Sequence, residues 1–133
     1  MAYRVLIVED DAAVRNAMVL VLEEVGHTVV EAADGKAGLE LLQASPEPLV
    51  VVLDLMLPRM TGIDVLHATG HIPDVATCAA FIITTVSRAY SIADVAKYLH
   101  GGYLTVLPKP FDIDELVAYV KEAGRHLMAR RRD

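Results

Sequence analysis

The sequence of 133 residues has few of the features that mark a secreted or membrane protein. Its single cysteine, Cys78, cannot form an internal disulfide bond. No apolar stretch reaches the length of about 20 residues that spans a bilayer, and the first residues lack the pattern of a signal peptide. From these absences we expect a cytoplasmic protein that makes no membrane contact.

Positive charge is also scarce, because 12 lysines and arginines face 18 aspartates and glutamates for a net charge of −6. Four of the basic residues, Arg125, Arg130, Arg131 and Arg132, lie close together, so the preceding part is more acidic than this net charge indicates. An acidic surface disfavours binding to a phosphate backbone, and we expect no nucleic-acid contact by this domain itself. We interpret residues 125–133 as a basic helix end or the start of a linker.

What the chain does have is a large apolar fraction, with 54% hydrophobic residues. That fraction is enough for a packed core, and the length suits one ordinary domain but not two. We therefore predict a single domain over residues 1–124, followed by the basic segment 125–133.

Short apolar runs alternate with segments whose apolar residues recur at helical spacing, which predicts five strands and five helices. The strands are expected at residues 3–8, 27–32, 49–54, 80–84 and 103–107. This alternation with short connections is typical of a doubly wound α/β sheet. Right-handed crossovers then favour a flavodoxin-like parallel sheet of order 2-1-3-4-5. Residues 70–79 fit a helix, a loop or a short extra turn.

Asp54 stands out because it ends the unbroken apolar run of residues 49–53. Such a run, followed by proline and glycine, predicts a central strand that is covered on both faces. Ligands of open parallel sheets bind just beyond the carboxyl ends of such strands. We therefore expect the carboxylate of Asp54 at the mouth of a binding crevice.

The ends of the other strands carry further polar side chains to the same crevice. They are Glu9 and Asp10 after the first strand, Thr84 and Thr85 at the fourth, and Lys109 after the fifth. Clustered carboxylates repel one another, and a hard cation such as Mg²⁺ relieves that repulsion. An aspartate nucleophile beside a metal ion and an ammonium group suits phosphoryl transfer.

In combination these residues resemble the receiver domain of two-component response regulators, over residues 3–124. The matching motifs are VLIVEDD at 5–11, ADG at 33–35, DLMLP at 54–58 and KPF at 109–111, with Gly62 and Thr85. The resemblance implies Mg²⁺-dependent acceptance of a phosphoryl group on Asp54 from a histidine kinase or a histidine phosphotransfer protein. It further implies an effector contact through the face formed by the predicted fourth helix, fifth strand and fifth helix.

The resemblance also assigns metal ligands to this chain. Asp10 and Asp54 would ligate Mg²⁺ directly, and Glu9 would act through water. The main-chain carbonyl of Met56 would complete the protein ligands.

Three further assignments concern the phosphoryl group. The resemblance implies that Lys109 holds one phosphoryl oxygen, with a cis peptide bond before Pro110, and that Thr85 senses the group with its hydroxyl. We expect a phosphoacceptor that assists its own phosphorylation and dephosphorylation, and not a turnover enzyme.

Three positions depart from the receiver pattern, and one of them is Pro108, which stiffens the loop just before Lys109. Val86 follows the sensing hydroxyl, where Ala or Gly is usual, and Val106 stands where an aromatic side chain usually changes rotamer. These departures leave open a degenerate receiver that acts as a phosphorylation-independent interaction scaffold. A phosphohydrolase with an aspartate nucleophile is disfavoured, because Met56 occupies the position of its second acid.

Overall fold

A computed structural model describes residues 1–86, 90–99 and 101–131. Five parallel strands form one sheet of order β2-β1-β3-β4-β5. The strands are β1 (Arg4–Val8), β2 (Thr28–Ala32), β3 (Leu49–Asp54), β4 (Ala79–Thr85) and β5 (Leu104–Pro108). The predicted fold class and strand order are confirmed, and each strand end lies within about one residue of the prediction.

The helices are α1 (Ala12–Glu24), α2 (Gly35–Ala44), α3 (Gly62–Ala68), α4 (Val75–Cys78), α5 (Ile92–Ala96) and α6 (Ile113–Arg131). A 3-10 turn, Thr69–His71, continues α3. The five expected helices are present, and the structure adds a sixth, the short α4. It lies within residues 70–79, which fitted a helix, a loop or a short extra turn. A helix of four residues makes little more than one turn, which is too short for a helical period to show. The predicted fourth and fifth helices are α5 and α6.

The sheet separates two apolar layers. All six residues of β3 are buried, as an unbroken apolar run predicts for a central strand. On one side of the sheet, Val51 and Phe81 pack in a layer with residues of α2, α3 and α5. On the other side, Val50 and Ile82 pack with residues of α1 and α6. Packing on both faces holds the carboxyl ends of the strands together along one edge.

One of the three consecutive acids that follow β1 caps the start of α1. The side chain of Asp11 accepts hydrogen bonds from the main-chain N–H groups of Ala13 at 2.9 Å and Val14 at 3.1 Å. This is an ordinary N-cap, worth about 1 kcal/mol of helix stability. Because Asp11 is used in this way, Glu9 and Asp10 are the acids that remain for the crevice.

The longest helix is α6, which includes the basic residues Arg125, Arg130 and Arg131. Arg131 Nη1 donates a hydrogen bond to the carbonyl oxygen of Thr77 at 2.8 Å, so the end of α6 contacts α4. Arg132 and Asp133 lie outside the described residues. Within the described ranges, neither α6 nor any other helix combines the length and apolar character needed to cross a membrane.

Candidate functional site

Three carboxylates meet where β1 and β3 end. Ligand atoms of Glu9, Asp10 and Asp54 lie within 4.8 Å of one another. Val8 pairs with Leu53 across the two strands, which brings the residues that follow them to the same level. Glu9 and Asp54 are buried whereas Asp10 is exposed, so the cluster opens to solvent at Asp10. The structure thus brings together the acids that the sequence singled out.

Lys109 enters the cluster from the loop after β5. Its Nζ atom hydrogen-bonds Glu9 Oε1 and lies 3.2 Å from Asp54 Oδ2. The main-chain N–H of Lys109 donates to the carbonyl oxygen of Thr85 at 2.9 Å, which ties the start of this loop to β4. The peptide bond between Lys109 and Pro110 is cis. The ammonium group therefore lies between the proposed acceptor and a second carboxylate.

The acids around Lys109 control its protonation. Burial by itself opposes the charged form of this lysine. The hydrogen bond to Glu9 and the negative charge of Asp54 outweigh that burial and raise the pKa of Lys109 above its ordinary value. Lys109 therefore remains an ammonium ion at neutral pH and partly offsets the repulsion among the carboxylates.

Glu9 is held at both of its carboxylate oxygens. Oε1 accepts from Lys109, and Oε2 accepts from the main-chain N–H of Asp11 at 3.2 Å. Arg15 supports the same residue, because its Nη1 donates to the carbonyl oxygen of Glu9 at 2.8 Å and its Nε to Glu31 at 3.0 Å. The sequence did not reveal Arg15, since both of its partners lie on other elements. Glu9 is therefore held in place at its carboxylate and at its main-chain carbonyl.

Asp54 is oriented from two sides. Its Oδ1 accepts from the main-chain N–H of Met56 at 3.1 Å, while its Oδ2 faces Lys109. The side chain of Met56 is exposed, so the main chain is the part of this residue that lies beside Asp54. The main-chain N–H of Met56 thus fixes one carboxylate oxygen of Asp54.

Two buried threonines end β4 beside Asp54. Thr84 pairs with Asp54 in the sheet, and Thr85 pairs with Pro108. The carbonyl oxygen of Thr84 accepts from the N–H of Leu55 at 3.1 Å, and that of Thr85 accepts from Lys109. The main chain of these threonines therefore holds the residue that follows Asp54 and the loop that carries Lys109. Thr85 lies at the carboxyl end of β4, where the sequence placed it.

An apolar groove of about 400 Å³ adjoins the acidic cluster. It is bounded by α1, by the residue that follows β4 and by the loop after β5. The lining residues are Val14, Ala17, Met18, Val86, Lys109, Pro110, Phe111 and Ile113. Val86 is exposed and forms part of the wall. Because Lys109 belongs to both features, the groove opens next to Asp54.

The donor set fits Mg²⁺. This ion prefers hard oxygen ligands and binds through one or two carboxylates together with water and phosphate oxygens. Three carboxylates within 4.8 Å, one of them exposed, supply such ligands and leave access for water. Among residues 1–86, 90–99 and 101–131, this is the one cluster of three potential ligands drawn from His, Cys, Asp and Glu.

Known proteins resemble this chain in sequence. A family model for the response regulator receiver domain matches residues 5–121. Response regulator MprA of Mycolicibacterium vanbaalenii is 36% identical over 125 residues, which cover 91% of this chain and 50% of that protein. Response regulator MprA of Mycobacterium tuberculosis is 34% identical with the same coverage. The chain thus spans about half the length of the curated relatives it matches.

Solved structures resemble it in fold. The receiver domain of Francisella response regulator 1452 superimposes with a TM-score of 0.76 and 28% identity, covering 91% of this chain and 95% of that one. A CheY-like receiver domain protein from Methanospirillum hungatei gives a TM-score of 0.80 and 25% identity, covering 98% and 99%. The likeness therefore includes the whole sheet and both helical layers.

Proposed function

Because the chain belongs to the response regulator receiver domain family, we propose that it accepts a phosphoryl group on Asp54 and thereby switches a protein surface. The contact of 3.2 Å between Lys109 Nζ and Asp54 Oδ2, inside a cluster of three carboxylates, carries this proposal. Phosphoryl transfer depends mainly on positioning and on neutralising negative charge. An aspartate nucleophile, an ammonium group and a site for a divalent cation are the groups it requires.

In the proposed reaction, an Asp54 oxygen forms a bond to phosphorus while the bond between phosphorus and the donor breaks. Lys109 moves its hydrogen bond from the carboxylates to a phosphoryl oxygen, and the Thr85 hydroxyl donates to another. Asp10, Asp54 and the Met56 carbonyl would hold Mg²⁺, with Glu9 acting through water. The ion would supply positive charge to the incoming phosphate oxygens.

The proposed donor is a phosphohistidine of a histidine kinase or a histidine phosphotransfer protein. The apolar groove supports this part of the proposal, because it offers an apolar surface next to Lys109 on which a partner helix can pack. Ile113 lines the groove and is 41% exposed, whereas Leu20 of α1 is 69% exposed and does not line it. Ile113→Glu should slow transfer from the protein donor and leave labelling by acetyl phosphate unchanged, while Leu20→Glu serves as the matched control.

The chemistry is proposed to be stoichiometric. Water later hydrolyses the aspartyl phosphate, with the domain assisting, so the protein acts as a phosphoacceptor and not as a turnover enzyme. Labelling should approach one phosphoryl group per chain and should not be accompanied by turnover of a general phosphatase substrate.

The surface that responds is proposed to be the output face, which we define as the outer side of α5, β5 and α6, and which would contact an effector. Val106 of β5 is half-buried and carries no ring, so an aromatic change of rotamer at this position is not part of the switch. The ring of Tyr103, the residue before β5, stacks on that of His126 in α6 with centroids 4.5 Å apart. The sequence leads us to propose that the output face responds through movement of the loop from Thr85 to Tyr90, of which residues 87–89 lie outside the described residues.

Two experiments test the function. Acetyl phosphate should label the wild-type protein only with Mg²⁺ present, and Asp54→Asn should abolish the label. Unchanged labelling of that variant refutes Asp54 as acceptor. Beryllofluoride, a phosphate mimic, should then shift amide resonances on the output face. Absence of Mg²⁺ binding, labelling and resonance shifts would favour the phosphorylation-independent scaffold instead.

A further inference from the structure

We propose that Gly35, the first residue of α2, is a positioning residue for the phosphoacceptor site. The inference rests on the proposed function of Asp54. The loop after β3, residues 55–61, is held in its working position because its main chain rests directly on Gly35. We call this segment the acceptor loop.

The contact between α2 and the acceptor loop has no space for a side chain at residue 35. A Cβ atom built on Gly35 would lie 1.9 Å from the carbonyl oxygen of Met60 and 2.7 Å from its carbonyl carbon. These are main-chain atoms, so a change of rotamer cannot relieve the overlap. Any larger residue at position 35 must therefore displace the loop, the helix or both.

The acceptor loop is closed at its base against Asp54. The N–H of Gly62 donates to the carbonyl oxygen of Leu55 at 3.1 Å, which joins the two ends of the loop. A Cβ atom on Gly62 would lie 2.6 Å from the carbonyl oxygen of Asp54, so this base packs directly on the acceptor residue. The loop therefore lies between Asp54 at one end and Gly35 at the other.

The tip of the acceptor loop has a backbone conformation that depends on its surroundings. Arg59 has φ +67°, in the left-handed region that residues other than glycine rarely adopt. Such a conformation persists where neighbouring contacts determine it. One such contact is local, since the N–H of Met60 donates to the carbonyl oxygen of Pro58 at 2.7 Å across Arg59. The others are Gly35, against which Met60 packs, and Asp34, whose Oδ2 lies 3.8 Å from Arg59 Nε. Asp34 also caps α2 by accepting from the N–H of Ala37 at 2.8 Å, which fixes the helix end beneath the loop.

Displacement of the loop tip would alter the phosphoacceptor site by moving Met56. The main-chain N–H of this residue donates to Asp54 Oδ1 at 3.1 Å, and its carbonyl is the proposed third ligand of Mg²⁺. Because the loop is short and closed at its base, movement of Met60 away from Gly35 changes the position of Met56 relative to Asp54. Gly35 thus acts on the reaction through the loop, without touching the reacting atoms.

The test compares two glycine-to-alanine variants. Gly35→Ala should weaken Mg²⁺ binding by about tenfold, since misplacement of site groups by about 1 Å has effects of this order or greater. Gly26→Ala is the matched control, because Gly26 also has a constrained backbone, with φ +102°, but nothing lies within 4 Å of its Cβ position. It precedes β2 at the opposite edge of the sheet, so its substitution should reduce stability and leave Mg²⁺ affinity unchanged.

Three measurements separate the possible results. They are a Mg²⁺ titration monitored through amide resonances, labelling by acetyl phosphate at saturating Mg²⁺, and urea unfolding. The inference is supported if Mg²⁺ binding is weaker in Gly35→Ala but not in Gly26→Ala, and if the resonances of residues 55–61 shift in Gly35→Ala. Unchanged Mg²⁺ affinity in a folded Gly35→Ala overturns it, and so does an equal loss in the control at equal stability. If Gly35→Ala does not fold, Arg59→Val decides, because a β-branched residue strongly disfavours φ +67° and so displaces the loop tip, which should weaken Mg²⁺ binding in the same direction. A wild-type protein that binds Mg²⁺ but takes no label refutes the proposed function without deciding the role of Gly35.

Discussion

The ammonium nitrogen of Lys109 lies 3.2 Å from Oδ2 of Asp54, although 55 residues separate the two along the chain. The same nitrogen hydrogen-bonds Glu9, so one cation is shared between the proposed acceptor and the acidic cluster. The lysine therefore has two opposing effects. It stabilises the acids when no metal is bound, and it repels the cation that the proposed reaction requires.

Lys109→Ala should tighten Mg²⁺ binding while it slows phosphorylation. Removal of the ammonium ion ends its repulsion of Mg²⁺, and a gain of about tenfold corresponds to about 1.4 kcal/mol. The same substitution removes the group that binds a phosphoryl oxygen, so labelling by acetyl phosphate should fall. Titration and labelling measure the two effects, and Lys121→Ala, a lysine of α6 outside the cluster, is the control. Weaker Mg²⁺ binding in Lys109→Ala would contradict this account.

Mg²⁺ should stabilise the folded protein through the acidic cluster. At a concentration ten times its Kd, a ligand that binds only the folded state adds about 1.4 kcal/mol to the free energy of unfolding. Asp10→Asn should remove this increment and should raise stability without Mg²⁺, because one member of the cluster loses its charge. Urea unfolding with and without Mg²⁺ tests both effects. An undiminished Mg²⁺ effect in Asp10→Asn would locate the ion elsewhere.

Stability should fall as His27 becomes protonated. Burial lowers the pKa of His27 below its ordinary value of 6.5, and its Nδ1 accepts from the N–H of Tyr3 at 3.0 Å. The unfolded state then binds a proton more readily than the folded state, so this stabilisation is present above pH 6.5 and declines below it. His27→Asn retains an acceptor and cannot be protonated. Unfolding free energies measured from pH 7.5 to 5 should fall more steeply for the wild type, and parallel curves would contradict the assignment.

Gly124→Ala should destabilise the protein although alanine is the better helix former. A Cβ atom at Gly124 would lie 2.4 Å from ring atoms of Tyr3, which is itself buried. Overpacking of this kind costs about 1–3 kcal/mol, against a gain in helix propensity of about 1 kcal/mol. Urea unfolding gives the net effect. In the background of Tyr3→Ala the penalty should disappear, since the two residues are in contact and their effects are not additive.

Local signals in the sequence predicted the structure most accurately. The run of residues 49–53 predicted a central strand because a segment buried on both faces needs apolar residues at every position. Residues 75–78 gave no comparable signal, because a helix of four residues is shorter than the patterns that identify helices. Sequence and resemblance together placed Asp10, Asp54 and Lys109 at one edge of the sheet, but the hydrogen bond from Lys109 to Glu9 was not anticipated.

The strands, their order and the edge at which the acids meet could all be read from the sequence, because side-chain periodicity and the handedness of crossovers act over short stretches of chain. Three features depend on the folded structure: which charged groups touch, the support that Arg15 gives to Glu9, and the contact of the loop carrying Met56 with Gly35. These contacts join residues from separate elements, and their distances depend on how helices and loops pack across the sheet. Asp54 was therefore recognisable from its strand, whereas the contacts that hold it in position required the folded protein.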